Sequence, residues 1–191
     1  MKAILLSIRP EWCDLIVRGK KTIEVRKTRP KLETPFKAYI YCTGHDGWVM
    51  KLPKAGVQKM DSRVIGEFTC DKIDRLAHVE AMGSNEPPKL QIVTPDLWYK
   101  PADELLQAAC LTEAQAKKYL KGGDGYGWHI SDLKIYEKPV KLKNFWAIQP
   151  CTHRGDCCTC RRWDAEKLIC RGEKFGIERP PQSWYYVEDG R

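Results

Sequence analysis

The hydrophobic pattern changes period several times along the chain. AILLSI, residues 3–8, is apolar almost throughout and reads as a buried strand. Pro10 suits the first turn of a helix, where its missing N–H is not needed. In PEWCDLIVRG, Trp12, Leu15 and Ile16 recur at helical spacing, and Gly19 is placed as a C-terminal stop. KTIEVRK then alternates. Ile23 and Val25 face one way and Thr22, Glu24 and Arg26 the other, as in a half-buried strand.

Further on, KAYIYCT and RVIGEFTCDKIDRLAHV are rich in β-branched and aromatic residues and predict strands, with Gly66 at a bulge or close backbone approach. GHDGWVMKLPKAGVQKM reads as a loop and MGSNEPPKLQIVTPDLWYKP as an irregular linker. ADELLQAACLTEAQAKKYLKGG predicts two short helices. Thr112 and Gln115 have capping-box spacing at the start of the second, and Gly122 and Gly123 end it. GYGWHISDLKIYEKPVKL returns to strand chemistry, and Trp184 to Val187 predict a closing strand. Few helices fall between strands. That order disfavours a doubly wound parallel sheet and fits an α+β chain, a small mixed β-barrel with helices packed beside it.

With 191 residues, 42% hydrophobic and 30% charged, the chain is long enough for one domain and a small appendage and reads as globular. The N-terminus lacks the long apolar run and small-residue cleavage site of a secretory leader, and no stretch approaches a membrane span. The expectation is a cytoplasmic protein with no membrane partner. The net charge of +8 adds a direction. From Arg9 to Lys37, Arg9, Arg18, Lys20, Lys21, Arg26, Lys27, Arg29, Lys31 and Lys37 are opposed by only Glu11, Asp14, Glu24 and Glu33. A localised basic zone suits a phosphate-bearing partner, although a basic surface also serves solubility.

The nine cysteines fall into two groups. Cys13, Cys42, Cys70 and Cys110 are scattered and read as buried small hydrophobes. Cys151, Cys157, Cys158, Cys160 and Cys170 are crowded into a polar segment. Disulfides are disfavoured in the cytosol, so the crowding points to metal. Cys157 and Cys160 have the Cys-x2-Cys spacing of a zinc knuckle, and Cys151 and Cys170 complete a tetrahedral set. Cys158 or His153 are substitutes, and disulfides, free thiols or an iron–sulfur site are the alternatives. Zinc here would be structural, supplying folding free energy that the segment's few apolar residues cannot.

Gly19-Lys20-Lys21-Thr22-Ile23-Glu24-Val25-Arg26 matches Gly-x-Lys-x-x-Glu-x-Arg and thereby resembles the ASCH domain family of the PUA-like superfamily. LLSIRPEW, VIGEFTCDKI, YGWHISDLKIYEKP and RPPQSWYYVE extend the resemblance, in order, over nearly the whole chain, and look like a subgroup often carried by phages and bacterial hosts. The resemblance implies a PUA-like β-barrel, expected over residues 1–150; the cysteine spacing sets off a zinc-binding-like segment over 151–180, and residues 181–191 are expected to return to the barrel as a C-terminal strand. It also implies a cleft between barrel and helix that binds RNA or a nucleotide. Some ASCH members are ribonucleases. A similar bacterial group hydrolyses acetylcytidine with Lys at the position of Lys21 and Thr at that of Glu24; here the hydroxyl is absent.

The residues themselves support a site. A carboxylate between cations holds an oriented ion pair that leaves donors for a phosphate or base edge. The candidate ligand-binding residues are Ser7, Arg9, Trp12, Lys21, Thr22, Glu24, Arg26, Tyr41 and His45. Trp12, Tyr39, Tyr41, Trp48 and Trp128 are candidate stacking surfaces. His129 reads as a satisfied core histidine or as a group reaching the cleft. The leading expectation is a module that binds RNA or a nucleotide. The alternatives are a ribonuclease or nucleobase-modifying hydrolase with Lys21 and Glu24 as catalytic groups, and a regulatory protein-interaction module.

Overall fold

The computed structural model describes residues 2–44, 47–52, 56–80, 88–149, 163–164, 169–170 and 173–189. The strands are β1 Lys2–Ile8, β2 Ile23–Arg26, β3 Phe36–Cys42, β4 Val49–Leu52, β5 Gly56–Lys59, β6 Arg63–Cys70, β7 Ile73–Val79 and β8 Lys89–Val93. They continue with β9 Tyr99–Pro101, β10 Gly125–His129, β11 Ser131–Lys141, β12 Trp146–Gln149, β13 Trp163–Asp164, β14 Ile169–Cys170, β15 Glu173–Gly176 and β16 Trp184–Glu188. The helices are α1 Pro10–Val17, α2 Asp103–Ala108 and α3 Glu113–Leu120. Strands dominate and helices are few, so the chain is mixed α+β.

The chain divides into two compact units. The first comprises Met1–Pro10, Lys37–Gly66 and Tyr136–Arg191, and the second Glu11–Phe36 and Glu67–Ile135. A seven-stranded sheet has the order β11-β6-β3-β1-β16-β12-β15. In it β1 runs parallel to β3 and antiparallel to β16, pairing Leu5 with both Tyr39 and Tyr185. Alternate residues of these strands, Ala3, Leu5, Tyr39 and Val187 among them, join Phe145 and Ile177 in the first unit's core.

The second unit is built on a five-stranded sheet of order β2-β10-β7-β8-β9. Ile23, Val25, Leu76, Leu90 and Ile92 point to one face and pack against Leu105 and Leu106 of α2 and Ala116 and Leu120 of α3. Two glycines of β10 let those helices come close. A Cβ on Gly125 would stand 2.8 Å from both Leu120 methyls, and one on Gly127 2.9 Å from Leu105 Cδ1. These contacts are tighter than a packed interior tolerates without rearrangement.

Neither main sheet closes on itself: each has two edge strands in its hydrogen-bonded order. The expected barrel is therefore met in its mixed α+β content, while the described strands form open sheets. Other expectations also shift. The loop assigned to residues 44–60 contains the β4–β5 hairpin, paired Val49 to Lys59. The assigned linker contains β8 and β9, paired Val93 to Tyr99. The single long strand over 63–79 is two strands, β6 and β7, separated at Asp71 and Lys72. Cys151, Cys157 and Cys160 lie outside the described residues; of Cys170 the backbone is described, opposite Trp163 in a short hairpin.

Candidate functional site

The motif begins where α1 ends. Gly19 has φ 68°, its N–H bonds Ile16 O, and Lys20 N–H bonds Leu15 O. This double closure is a Schellman C-cap, and it needs a residue that accepts the left-handed conformation. The chain is then tied by Lys21 N–H to Leu15 O and Thr22 N–H to Ala108 O, and enters β2. Among the described strands β2 is an edge strand, hydrogen-bonded to β10 alone, with Glu24 opposite Trp128 and Arg26 opposite Tyr126.

Edge strands usually carry their charges in water. Here they are buried. Side-chain exposure is 2% for Lys21, 9% for Glu24 and 7% for Arg26. Lys21 Nζ lies 3.3 Å from Glu24 Oε2 and donates to Ala109 O at 2.7 Å. The same ammonium sits 5.1 Å from the centre of the Trp12 ring, a cation–π distance. Arg26 Nη2 meets the other oxygen, Glu24 Oε1, at 3.0 Å. Glu24 is thus clamped between two cations, and Lys21 binds the carbonyl at the end of α2. The alternation expected for β2 holds, but all four of its residues are buried. A solvated ladder of charges is excluded.

Tyr119 of α3, which the sequence reading did not single out, completes the cluster. It is hydrogen-bonded to Arg26, and burial raises its hydroxyl above the ordinary value. Lys27 Nζ lies 5.4 Å from the Tyr119 ring centre. Its one sequence signal is the helical register that places Ala116 and Leu120 in the core. Around the buried cluster the surface is basic: Lys20, Lys27 and Arg29 are exposed, as is Thr22.

The other candidates fall elsewhere. Ser7, in β1, is buried with its N–H on Ser183 O, and Arg9 is exposed beyond that strand. Tyr41, in β3, is buried beside Ser62, and burial raises its hydroxyl above the ordinary range. These three belong to the first unit, whereas Trp12, Lys21, Thr22, Glu24 and Arg26 belong to the second. His45 lies outside the described residues. Tyr39 and Trp128 are completely buried, which corrects their assignment as stacking surfaces. Cys13, Cys42 and Cys70 are buried as expected, and Cys110 is half-buried. Burial pushes the Cys70 thiol up to about 12, so it is neutral at physiological pH. Among the described residues no three metal-ligating side chains gather.

His129 has a specific partner. Its Nε2 lies 2.8 Å from Asp74 Oδ2, and Lys72 Nζ approaches the same carboxylate at 2.9 Å. Burial alone would raise the Asp74 carboxyl; hydrogen bonds from Lys72 and His129, with the Lys72 charge, hold it below its ordinary value. A depressed carboxyl contributes stability above its unfolded-state value, and the contribution disappears as pH falls through the folded one. Below about pH 4 the melting temperature of the wild type should therefore approach that of Asp74→Asn, from a clear excess at pH 6. Parallel curves across that window would show that the contacts do not couple to protonation.

The ASCH domain profile matches residues 6–120, which takes in α1, the motif, the strands β2, β7, β8 and β9 of the five-stranded sheet and both later helices. A comparison with curated proteins gives no match. Among solved structures, the ASCH protein of Zymomonas mobilis is 20% identical, with 73% of each chain covered and a TM-score of 0.46. Two single-residue variants of that protein are also 20% identical with TM-score 0.46; the coverages are 74% of this chain and 77% of that chain for one, 73% and 74% for the other. With the profile extending over more than half of its length, the chain belongs to the ASCH domain family.

Proposed function

We propose that this protein binds RNA, and that it does so through the basic surface around β2. The observation that carries the reading is the contrast between buried and exposed charge in one short segment. Lys21, Glu24 and Arg26 are buried and mutually paired, while Lys20, Lys27 and Arg29 are exposed around them. A buried ion network fixes backbone geometry, and exposed lysines and arginines bind phosphates in water. Membership in a family with a PUA-like fold, generally linked to RNA binding, and the net charge of +8 point the same way. The hydrolase reading has less support. Lys21 is committed to a carbonyl, a carboxylate and a ring, and Glu24 to two cations, so neither is poised to move a proton.

Binding of a labelled single-stranded RNA should weaken log-linearly with salt, losing about 0.7 in slope per phosphate contacted. A flat salt response would argue for a protein partner instead. The Cys-rich segment carries a separate proposal, a structural zinc held by Cys151, Cys157, Cys160 and Cys170. Metal analysis of the purified protein should return about one zinc per chain, lost in Cys157→Ser. A metal-free, fully folded wild type would remove that assignment.

A further inference from the structure

The sheet of the second unit has two faces, and the helices α2 and α3 cover one. On the opposite face a single register row crosses all five strands: Arg26 opposite Tyr126, Tyr126 opposite Arg75, Arg75 opposite Val93, and Val93 opposite Tyr99. Residues directly opposite in antiparallel pairs project to the same side, so these five side chains share a face. The row begins in the buried motif and opens toward the far edge. Arg26 is buried and Tyr126 half-buried, Arg75 has 52% side-chain exposure, and Tyr99 is 54% exposed. Trp98, next in the chain to Tyr99, is 75% exposed at the end of the β8–β9 turn. That turn is held by Leu97 N–H on Thr94 O and Trp98 N–H on Thr94 Oγ1, with Leu97 at φ 62°.

Large rings left in water over a secured turn are a cost unless something covers them. Arg75 is paired with Asp124, whose Oδ2 accepts from Nε at 3.0 Å and from Nη2 at 2.6 Å, but both partners are largely exposed. Exposed pairs of this kind are weak and exchange readily for a stronger anion. A ring, a guanidinium and a second ring in register, on a chain of net charge +8, match one occupant well. Bases stack on the rings and the guanidinium takes a phosphate or a base plane. Strand spacing puts Tyr99 and Tyr126 about 14 Å apart, with Arg75 between them.

We propose that this face is a stacking platform for single-stranded nucleic acid, running from the β2 edge to Tyr99, with Tyr99 and Arg75 as its outer contacts. The inference rests on the RNA-binding reading and extends it from phosphate attraction to recognition of unpaired bases. It predicts a preference for single strands over duplex that the exposed lysines alone would not produce.

The test measures the affinity of fluorescein-labelled oligouridine, and of the same strand paired with oligoadenine, for wild type, Tyr99→Ala, Tyr99→Phe and Arg75→Ala. The expected result is single-strand binding about tenfold weaker in Tyr99→Ala and in Arg75→Ala, retained in Tyr99→Phe, with duplex binding barely altered by either tyrosine change. Tyr185→Ala, which removes an exposed ring of β16, is the control and should bind as wild type does. Absence of any RNA binding by the wild type would overturn both this proposal and the reading beneath it. Binding by the wild type that survives Tyr99→Ala and Arg75→Ala unchanged would overturn the platform alone. Equal losses in Tyr99→Ala and Tyr99→Phe would assign the effect to the hydroxyl and reject stacking.

Discussion

Replacing Glu24 with alanine is expected to cost about 3–5 kcal/mol of folding stability, more than any other change in the motif. The reason is charge arithmetic in a buried space. One carboxylate sits between two cations, 3.3 Å from Lys21 Nζ and 3.0 Å from Arg26 Nη2. Removing it leaves two like charges, both almost wholly buried, without their shared partner. Lys21→Met should cost less, because a neutral Glu24–Arg26 pair remains and the main loss is the hydrogen bond to Ala109 O. Lys27→Ala removes an exposed cation and should lie within about 0.5 kcal/mol of wild type. Urea unfolding midpoints at constant slope measure the three. Equal effects for Glu24→Ala and Lys27→Ala would mean that the clamp does not hold the fold.

Trp128→Ala carries a comparable expected loss, about 3–5 kcal/mol. The indole is completely buried and meets the Phe36 ring edge-on at 5.6 Å and 89°. Directly across β2 stands Glu24, so Trp128 also helps to keep water from the clamp. Water admitted beside the carboxylate would screen both ion pairs. Trp128→Phe should retain part of the packing and lose roughly half as much. The two sites are adjacent, so Glu24→Ala and Trp128→Ala together should cost less than their sum. Additive losses would show that the indole and the clamp act independently.

Much of the fold was legible in the sequence, for identifiable reasons. β1 and β3 announce themselves through nearly continuous apolar stretches, residues 3–6 and 38–42, because both faces are buried there. Gly19 and the Thr112–Gln115 capping box are local signals, and both are present in hydrogen bonds of the expected kind. The β4–β5 hairpin was hidden because its strands are short and Val49 and Val57 are exposed, so no apolar face marks it. β8 does alternate, with Leu90 and Ile92 in the core, but it is only five residues long among turn-forming residues, and its partner β9 is three exposed residues.

The motif illustrates the same limit at the level of chemistry. Alternation in KTIEVRK correctly gave the register of Thr22, Glu24 and Arg26, but register says nothing about what covers a face. A half-buried strand suggested one wet face, whereas the Trp12 ring from the preceding helix and, from far along the chain, the Ala109 carbonyl and the Tyr119 hydroxyl meet the charges. Tyr99 and Arg75 were missed for the converse reason: the row joining them to Arg26 exists only once five strands are paired.

The proposed division is between buried charges that hold the fold and exposed charges that meet RNA, and one measurement addresses it directly. It is the salt dependence of single-stranded RNA binding by a variant with Lys20, Lys27 and Arg29 all changed to alanine, compared with wild type. These side chains are exposed, so the variant should fold normally. Its affinity should fall, and the slope of log affinity against log salt should be shallower by about 2. A variant that binds RNA with unchanged affinity and slope would contradict the placement of the RNA surface around β2.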